Sequence, residues 1–532
     1  MMSLRACVLW HKSIVCAATV STLFAVPCPA ADESETQNVL LDVSVTVDFG
    51  RDEGQNYGSI FEVYDPAGNV VAGGGFLGAY NTEPRSDRGR LHFFLKPKQV
   101  NYSVETLPRV NDFTGVYLSD LGQRLYARSR SARDSSFYAL DNETNEWRVD
   151  ASLTAYDILV AGQPLHVSSR TISHAGQPIL AIGDDRPNTT LREHYYASGE
   201  LVLRIQDAAE SATSNRLVAC RWLPADMQRM IDPADGTALD LRSHGEFVYA
   251  FGQLGDEVLA ATNTGGVYAF DGEGWRVIVE PGPHSYQVYS MLNYYDRLLL
   301  GHYPTGELYE YDGRELRHLP DWPPVMPGVQ KRAREAQTLA IYGGELYAGV
   351  WPWGEVWRYD GNSGEWQFVR RMFSHPELTD TVTHPYETET DAVAEVMNLW
   401  GQRVTSLVPF GDSLYVSTSS KGGMAYDSKF AFLADGRWRD YGRVYRLTLP
   451  GQLAAPIEWM SGPTTIRCLL ADGIMTIRQD GHIKASRAVD VDDVLPATPH
   501  RIEWGNGVYG PLAGRLLVRQ SNLSPEPNNR AE

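Results

Sequence analysis

Four stretches in the second half of the chain share one outline, and that repeat restricts the possible folds more than any other feature. Residues 248–272 read VYAFGQLGDEVLAATNTGGVYAFDG, and 288–313 read VYSMLNYYDRLLLGHYPTGELYEYDG. Residues 338–361 read TLAIYGGELYAGVWPWGEVWRYDG, and 405–428 read TSLVPFGDSLYVSTSSKGGMAYDS. Each holds an apolar strand, a Gly or Asp turn, a second strand, a short loop with Gly, and a third strand ending in Phe/Tyr-Asp or Tyr-Asp-Ser. A fourth strand with Trp follows in some copies, as at Trp275 and Trp366. Asp271 to Asp312 is 41 residues, Asp312 to Asp360 is 48, and Asp360 to Asp427 is 67, so the last interval carries an insertion, assigned to 372–399. Units of this period with four short strands each stack radially, because one such sheet cannot bury both of its faces alone.

The first half repeats more weakly. YLSDLGQRLYARS, FYALD and EWRVD follow the same outline within 115–150, and 157–206 alternates in the same way. TTIRCLLADGIMTIRQDGHIKA at 464–485 is read as the last copy. The expected fold is therefore all-β: a β-propeller of about seven four-stranded blades over 112–485, with an N-terminal β segment at 38–110. Residues 486–522 are expected to add C-terminal or closing strands, and 523–532 to be a disordered tail.

Residues 1–31 read as a secretory signal, with Arg5 and Lys12 before an apolar stretch at 13–26, small residues around 25–31, and no acidic residue before Asp32. A secreted or periplasmic protein follows, with no transmembrane segment in the mature chain. Only Cys220 and Cys468 lie beyond the signal; a disulfide between them and two buried thiols are both open readings. The net charge of -19 argues against nucleic acid as a partner, since such binding needs a basic stripe. A monomer without cofactor is expected. No metal-ligand spacing occurs, and Asp490, Asp492 and Asp493 read as a solvated acidic loop.

No nucleophile elbow, HExxH, phosphate loop or dinucleotide fingerprint is present, so any reactive residues come from separate loops. In a four-stranded blade, the loop entering the inner strand and the loop between strands two and three open on the same face. That places His284, Tyr286, His302 and Tyr303 from one unit on one opening, with Arg332, Arg334, Trp351 and Trp353 from the next. His244, Asn263, Arg403 and Lys421 join them from the flanking units, and His174 and His194–Tyr196 from the first half. Aromatic faces stack on sugar rings, and Arg pairs with carboxylate. This set suits β-elimination of a uronate-containing polysaccharide: His302 and Tyr303, flanked by His284 and Tyr286, move protons. Arg334 neutralises the carboxylate, while Trp351, Trp353, His244, Arg403 and Lys421 hold the sugar. Tyr309 and Tyr311 read as packing between blades.

WGEVWRYDGNSGEW at 353–366 resembles half of a kelch unit, without the double Gly of that repeat. HSYQVYS followed by GHYPTGELYEYDG resembles the secreted, seven-bladed propeller polysaccharide lyases of the ulvan type. That resemblance implies His, Tyr and Arg on the funnel face, carried here by His284, Tyr286, His302 and Tyr303. The family's arginine and structural metal have no residue-by-residue match. The alternative to a lyase is a non-catalytic propeller that binds a glycan or a protein partner at the same face.

Overall fold

The computed structural model describes residues 39–82, 84–129, 136–153, 158–208, 213–226, 230–243, 245–282, 287–330, 332–389, 399–421, 423 and 438–523. The signal segment, the expected tail beyond 523, His244, His284, Tyr286 and Tyr426-Asp427 lie outside them. No helix of the described residues is long and apolar enough to cross a membrane.

The protein is a β-propeller with a second β-structure attached. Seven antiparallel sheets follow one another along the chain, and we call them blades 1 to 7. Their inner strands are Tyr117–Leu121, Ile158–Val160, Thr189–Ala197, Val248–Leu254, Gln287–Tyr294, Glu335–Tyr342 and Gln402–Phe410. In blades 6 and 7 the strands nearest the axis are buried on both faces because each blade is covered by its neighbours; Glu345–Trp351 and Gln402–Phe410 are buried throughout. Blade 7 departs from the sequence expectation. Its third strand is Val444–Thr448 and not the segment ending in Asp427, and its outermost strand is Ser103–Thr106, which precedes blade 1 in the chain. A strand from before blade 1 thus completes the sheet of the last blade, and Val116, Leu118 and Leu125 of blade 1 share a core with Val408, Phe410 and Tyr415 of blade 7.

Residues 464–485 do not form a blade. Thr464–Ala471, Ile474–Gln479 and His482–Ala488 pair instead with Val39–Asp48 and Arg515–Leu523 in a five-stranded sheet. A second five-stranded sheet joins Gly58–Tyr64, Val70–Phe76 and Arg90–Leu95 to Gln452–Pro456 and Arg501–Trp504. The two pack face to face through Val43, Val45, Val47, Ile466 and Ile477 on one side and Ile60, Phe61, Val63, Phe93 and Leu453 on the other. The N- and C-terminal β segments are therefore one sandwich. The alternating pattern of 464–485 matches a blade because a half-buried strand reads the same in either setting.

The sandwich sits on the face made by the turns between first and second blade strands. Asn56 Nδ2 donates to Asn293 at 2.8 Å, Lys96 Nζ meets Glu345 at 2.6 Å, and Arg90 Nε meets Asp120 at 2.7 Å. From this base the connection at 77–89 enters the propeller channel. Ala79–Asn81 pairs with Ser290–Leu292, adding a strand inside the innermost strand of blade 5. Asn81 exchanges two 2.9 Å hydrogen bonds with the backbone of Leu339, and Thr82 donates its N–H and hydroxyl to the Tyr289 carbonyl at 2.8 and 2.9 Å. Tyr80 packs its ring on Tyr195 and Phe251. The void left between this plug and blades 1 to 3 is about 20 Å³, no more than a water would fill. Among the described residues, Ala79–Asn81 thus fills the channel at the sandwich end, and the propeller face away from the sandwich is called its mouth.

Candidate functional site

The open mouth is built by strand register. Across blades 5, 6 and 7, the start of the inner strand lies opposite the end of the second strand: Gln287 faces Tyr303, Glu335 faces Trp351, and Arg403 faces Ser419. Each of blades 4 to 7 also breaks register near the start of its inner strand, between Val248 and Ala250, Val288 and Ser290, Ala336 and Thr338, and Val404 and Ser406. Such bulges carry one extra residue and re-aim its side chain. The extra residues are Tyr249, Tyr289, Gln337 and Thr405. The Tyr249 and Tyr289 rings pack 5.0 Å apart, and Gln337 donates to Thr82 of the plug at 2.9 Å.

Above that layer, two cations share one carboxylate. Arg403 Nη2 donates to both oxygens of Glu335, at 2.5 and 2.9 Å, and Lys421 Nζ lies 3.7 Å from the same group. Glu335 has no exposed surface, whereas the Lys421 side chain keeps 14%. Lys421 Nζ also sits 4.1 Å from the Trp351 ring centre and 4.7 Å from that of Tyr303, where the ring quadrupoles favour a cation. Burial opposes the charge on Arg403, but Glu335 outweighs it and raises the guanidinium pKa. For Lys421 burial prevails: with Arg403 nearby and Glu335 only partly offsetting it, the ammonium pKa falls below the usual lysine range. Burial and then Glu335 raise the Tyr303 hydroxyl, so it is a proton donor at neutral pH. The cluster carries one net positive charge in a chain of net charge -19.

His384 closes the back of this pocket. Its ring lies 4.7 Å from Trp351, it has no exposed surface, and among the described residues neither ring nitrogen has a hydrogen-bond partner. Burial drops its pKa to about 4, so the imidazole is neutral. Trp351 is held from the other side by Gly401, where any Cβ would collide with the indole nitrogen.

The other sequence-selected residues are elsewhere. His302 precedes Tyr303 in a strand, so their side chains leave on opposite faces. His302 is buried, bonds Thr305 Oγ1 through Nδ1 at 3.0 Å, packs on Tyr309, and faces a groove of about 300 Å³ between blades 4 and 5. Burial lowers its pKa to about 4. Arg334 is 1% exposed and committed to Glu355 at 3.3 Å and the Pro324 carbonyl at 3.0 Å, so it has no access to a ligand carboxylate at the mouth. Trp353 is enclosed by Met326, Val350 and Trp357, and Arg371 covers its ring. His174 is buried, bonds the Val160 carbonyl at 2.8 Å and packs on Trp222. Tyr303, Trp351, Arg403 and Lys421 therefore converge; His302, Arg334 and Trp353 do not join them. Glu335, Tyr289 and His384 were missed. Glu335 was legible as an acidic residue opening an apolar strand, whereas the bulge that aims Tyr289 leaves no mark in the alternation. Cys220 and Cys468 are separate buried thiols.

No family model matches the sequence, and no curated protein matches it. Among solved structures, the chain is similar to the computationally designed Ika8 protein, with 12% identity, a TM-score of 0.31, and coverage of 64% of this chain and 98% of that one. It is also similar to the β-propeller domain of the Trilobed protease from Pyrococcus furiosus, with 11% identity, a TM-score of 0.30, and coverage of 59% and 92%. The WD40 β-propeller domain of Doa1 matches at 8% identity and a TM-score of 0.29, with 66% and 98% covered. These likenesses carry no argument about function, which has to be read from the side chains of the mouth.

Proposed function

We propose that this is an exported propeller that binds an acidic glycan at its open mouth. The observation that carries the reading is the sharing of one buried carboxylate, Glu335, by two cations, one of which, Lys421, is partly exposed on an aromatic rest. A sugar carboxylate or sulfate completes the charge balance, and the exposed part of Tyr303 offers a face for the ring. Arg403 is too buried to be a first contact; it keeps Glu335 paired so that Lys421 retains attraction to spare.

Binding without turnover is favoured over a lyase because, among the described residues, His302 and Tyr303 leave on opposite faces and Arg334 is engaged by Glu355. The test is calorimetric titration of the full chain with oligogalacturonate and alginate oligosaccharides, with neutral oligosaccharides of equal length as controls. Saturable binding of an acidic oligosaccharide, weakened in Lys421→Ala, supports the reading. Equal affinity for charged and neutral chains contradicts it. Ultraviolet absorbance from an unsaturated uronate product would replace it with the lyase reading.

A further inference from the structure

A larger cavity lies on the opposite face, where the sandwich meets blades 1 and 2. Its volume is about 450 Å³, within the range of small-ligand sites. Five separate parts of the chain contribute to its wall: the segment at the end of the first sandwich strand, the base of the plug, the first turn of blade 1, the first turn of blade 2, and 456–459. It is a preformed seam and not a fold of one loop.

The floor is an ion pair with a spare donor. Arg88 Nη2 meets Asp52 Oδ2 at 2.7 Å, with side chains only 5% and 2% exposed. Asp52 accepts also from the amides of Ala161 at 2.6 Å and Gly54 at 3.0 Å. Arg88 donates further to the Leu159 carbonyl at 2.7 Å, the Tyr57 hydroxyl at 3.2 Å and the Gln55 carbonyl at 3.3 Å. Among the described residues its Nε has no acceptor, nor does the buried indole Nε1 of Trp459, a residue of the same cavity wall. Buried donors left unpaired cost free energy, and these two belong to residues that wall the same cavity, where a small side-chain shift would bring them to an acceptor.

Charge decides what kind. Around the cavity Arg88, Arg90 and Lys484 are opposed by Asp52, Asp87, Asp120 and Glu458, an excess of one negative charge. An anion is therefore disfavoured. The rest of the surface is aromatic, from Phe49, Tyr57 and Trp459, with the amides of Gln123 and Gln163 at the rim. Oxygen acceptors on an uncharged, ring-shaped body fit this combination. We infer that the seam binds a neutral pyranose sugar, of one or two residues, with its oxygens toward Arg88 and Trp459. This site is independent of the acidic-glycan mouth, and neither reading needs the other.

The experiment titrates the full chain with glucose, galactose, mannose, maltose, cellobiose and xylobiose, followed by calorimetry and tryptophan fluorescence. At least one is expected to bind saturably, and oligogalacturonate is expected not to compete. Trp459→Phe keeps a ring but removes the donor and should weaken binding about fivefold, the scale of one lost hydrogen bond. Gln123→Trp, at an exposed rim position, should block the cavity while leaving the melting temperature unchanged, so loss of binding is separable from loss of fold. No binding across the panel, binding indifferent to both substitutions, or a preference for glucuronate over glucose overturns the assignment.

Discussion

Replacing Asn81 by Ala should destabilise the protein far more than its size implies. Leu339 lies in the innermost strand of blade 6, opposite Ala348, and its N–H and C=O point into the channel, where no further blade strand exists. The Asn81 side chain satisfies both, at 2.9 Å each, while itself only 8% exposed. Alanine leaves two buried backbone groups unpaired at about 1–3 kcal/mol each. Partial entry of water into the space vacated reduces the sum, so a loss of about 2–4 kcal/mol is expected. Thr82→Val removes a hydroxyl that serves Tyr289 and Gln337 and should cost about 1–2 kcal/mol. Urea unfolding followed by tryptophan fluorescence reads both, and hydrogen exchange at the Leu339 amide should accelerate in Asn81→Ala. A change below about 0.5 kcal/mol with unchanged exchange would refute the plug as a structural member of the channel.

Glu62 is buried in the sandwich, and desolvation raises its pKa to about 7 despite hydrogen bonds from Tyr64 and the Val508 amide. The folded state then binds an extra proton between about pH 4.5 and 7, so stability falls as pH rises through that window, by up to about 3 kcal/mol. Glu62→Gln should flatten the dependence, read as urea midpoints at about pH 5 and about pH 8. Lys421→Ala should weaken acidic-glycan binding at least about tenfold, and the wild-type affinity should fade on alkalinisation earlier than an ordinary lysine would allow. His302→Gln should leave that affinity within about twofold, because its side chain faces blades 4 and 5; a large loss in calorimetry would return His302 to the mouth. Gly401→Ala should lower the melting temperature and alter tryptophan emission by displacing Trp351.

The propeller was legible because the repeat is periodic through blades 4 to 6, whose third strands run into Phe-Asp or Tyr-Asp. The sandwich was not, since its two sheets pair segments from opposite ends of the chain, and strand partners more than 400 residues apart leave no local signal. The hairpin loop at 77–89 looked like any connection; that it fills the channel follows only from where the sandwich docks. At the mouth, Lys421 and Arg403 come together on Glu335, whereas Arg334 does not join them, because a buried Glu355 claims that guanidinium. Strand alternation already separates His302 from Tyr303, and applying it to the end of a strand would have split the pair.

The most direct test of the account is a crystal structure of the protein soaked with an acidic oligosaccharide. The account predicts seven blades, the Ala79–Asn81 strand paired inside blade 5, and a carboxylate or sulfate within hydrogen-bond reach of Lys421 Nζ. An open channel, or a ligand bound away from Lys421 and Tyr303, would contradict it.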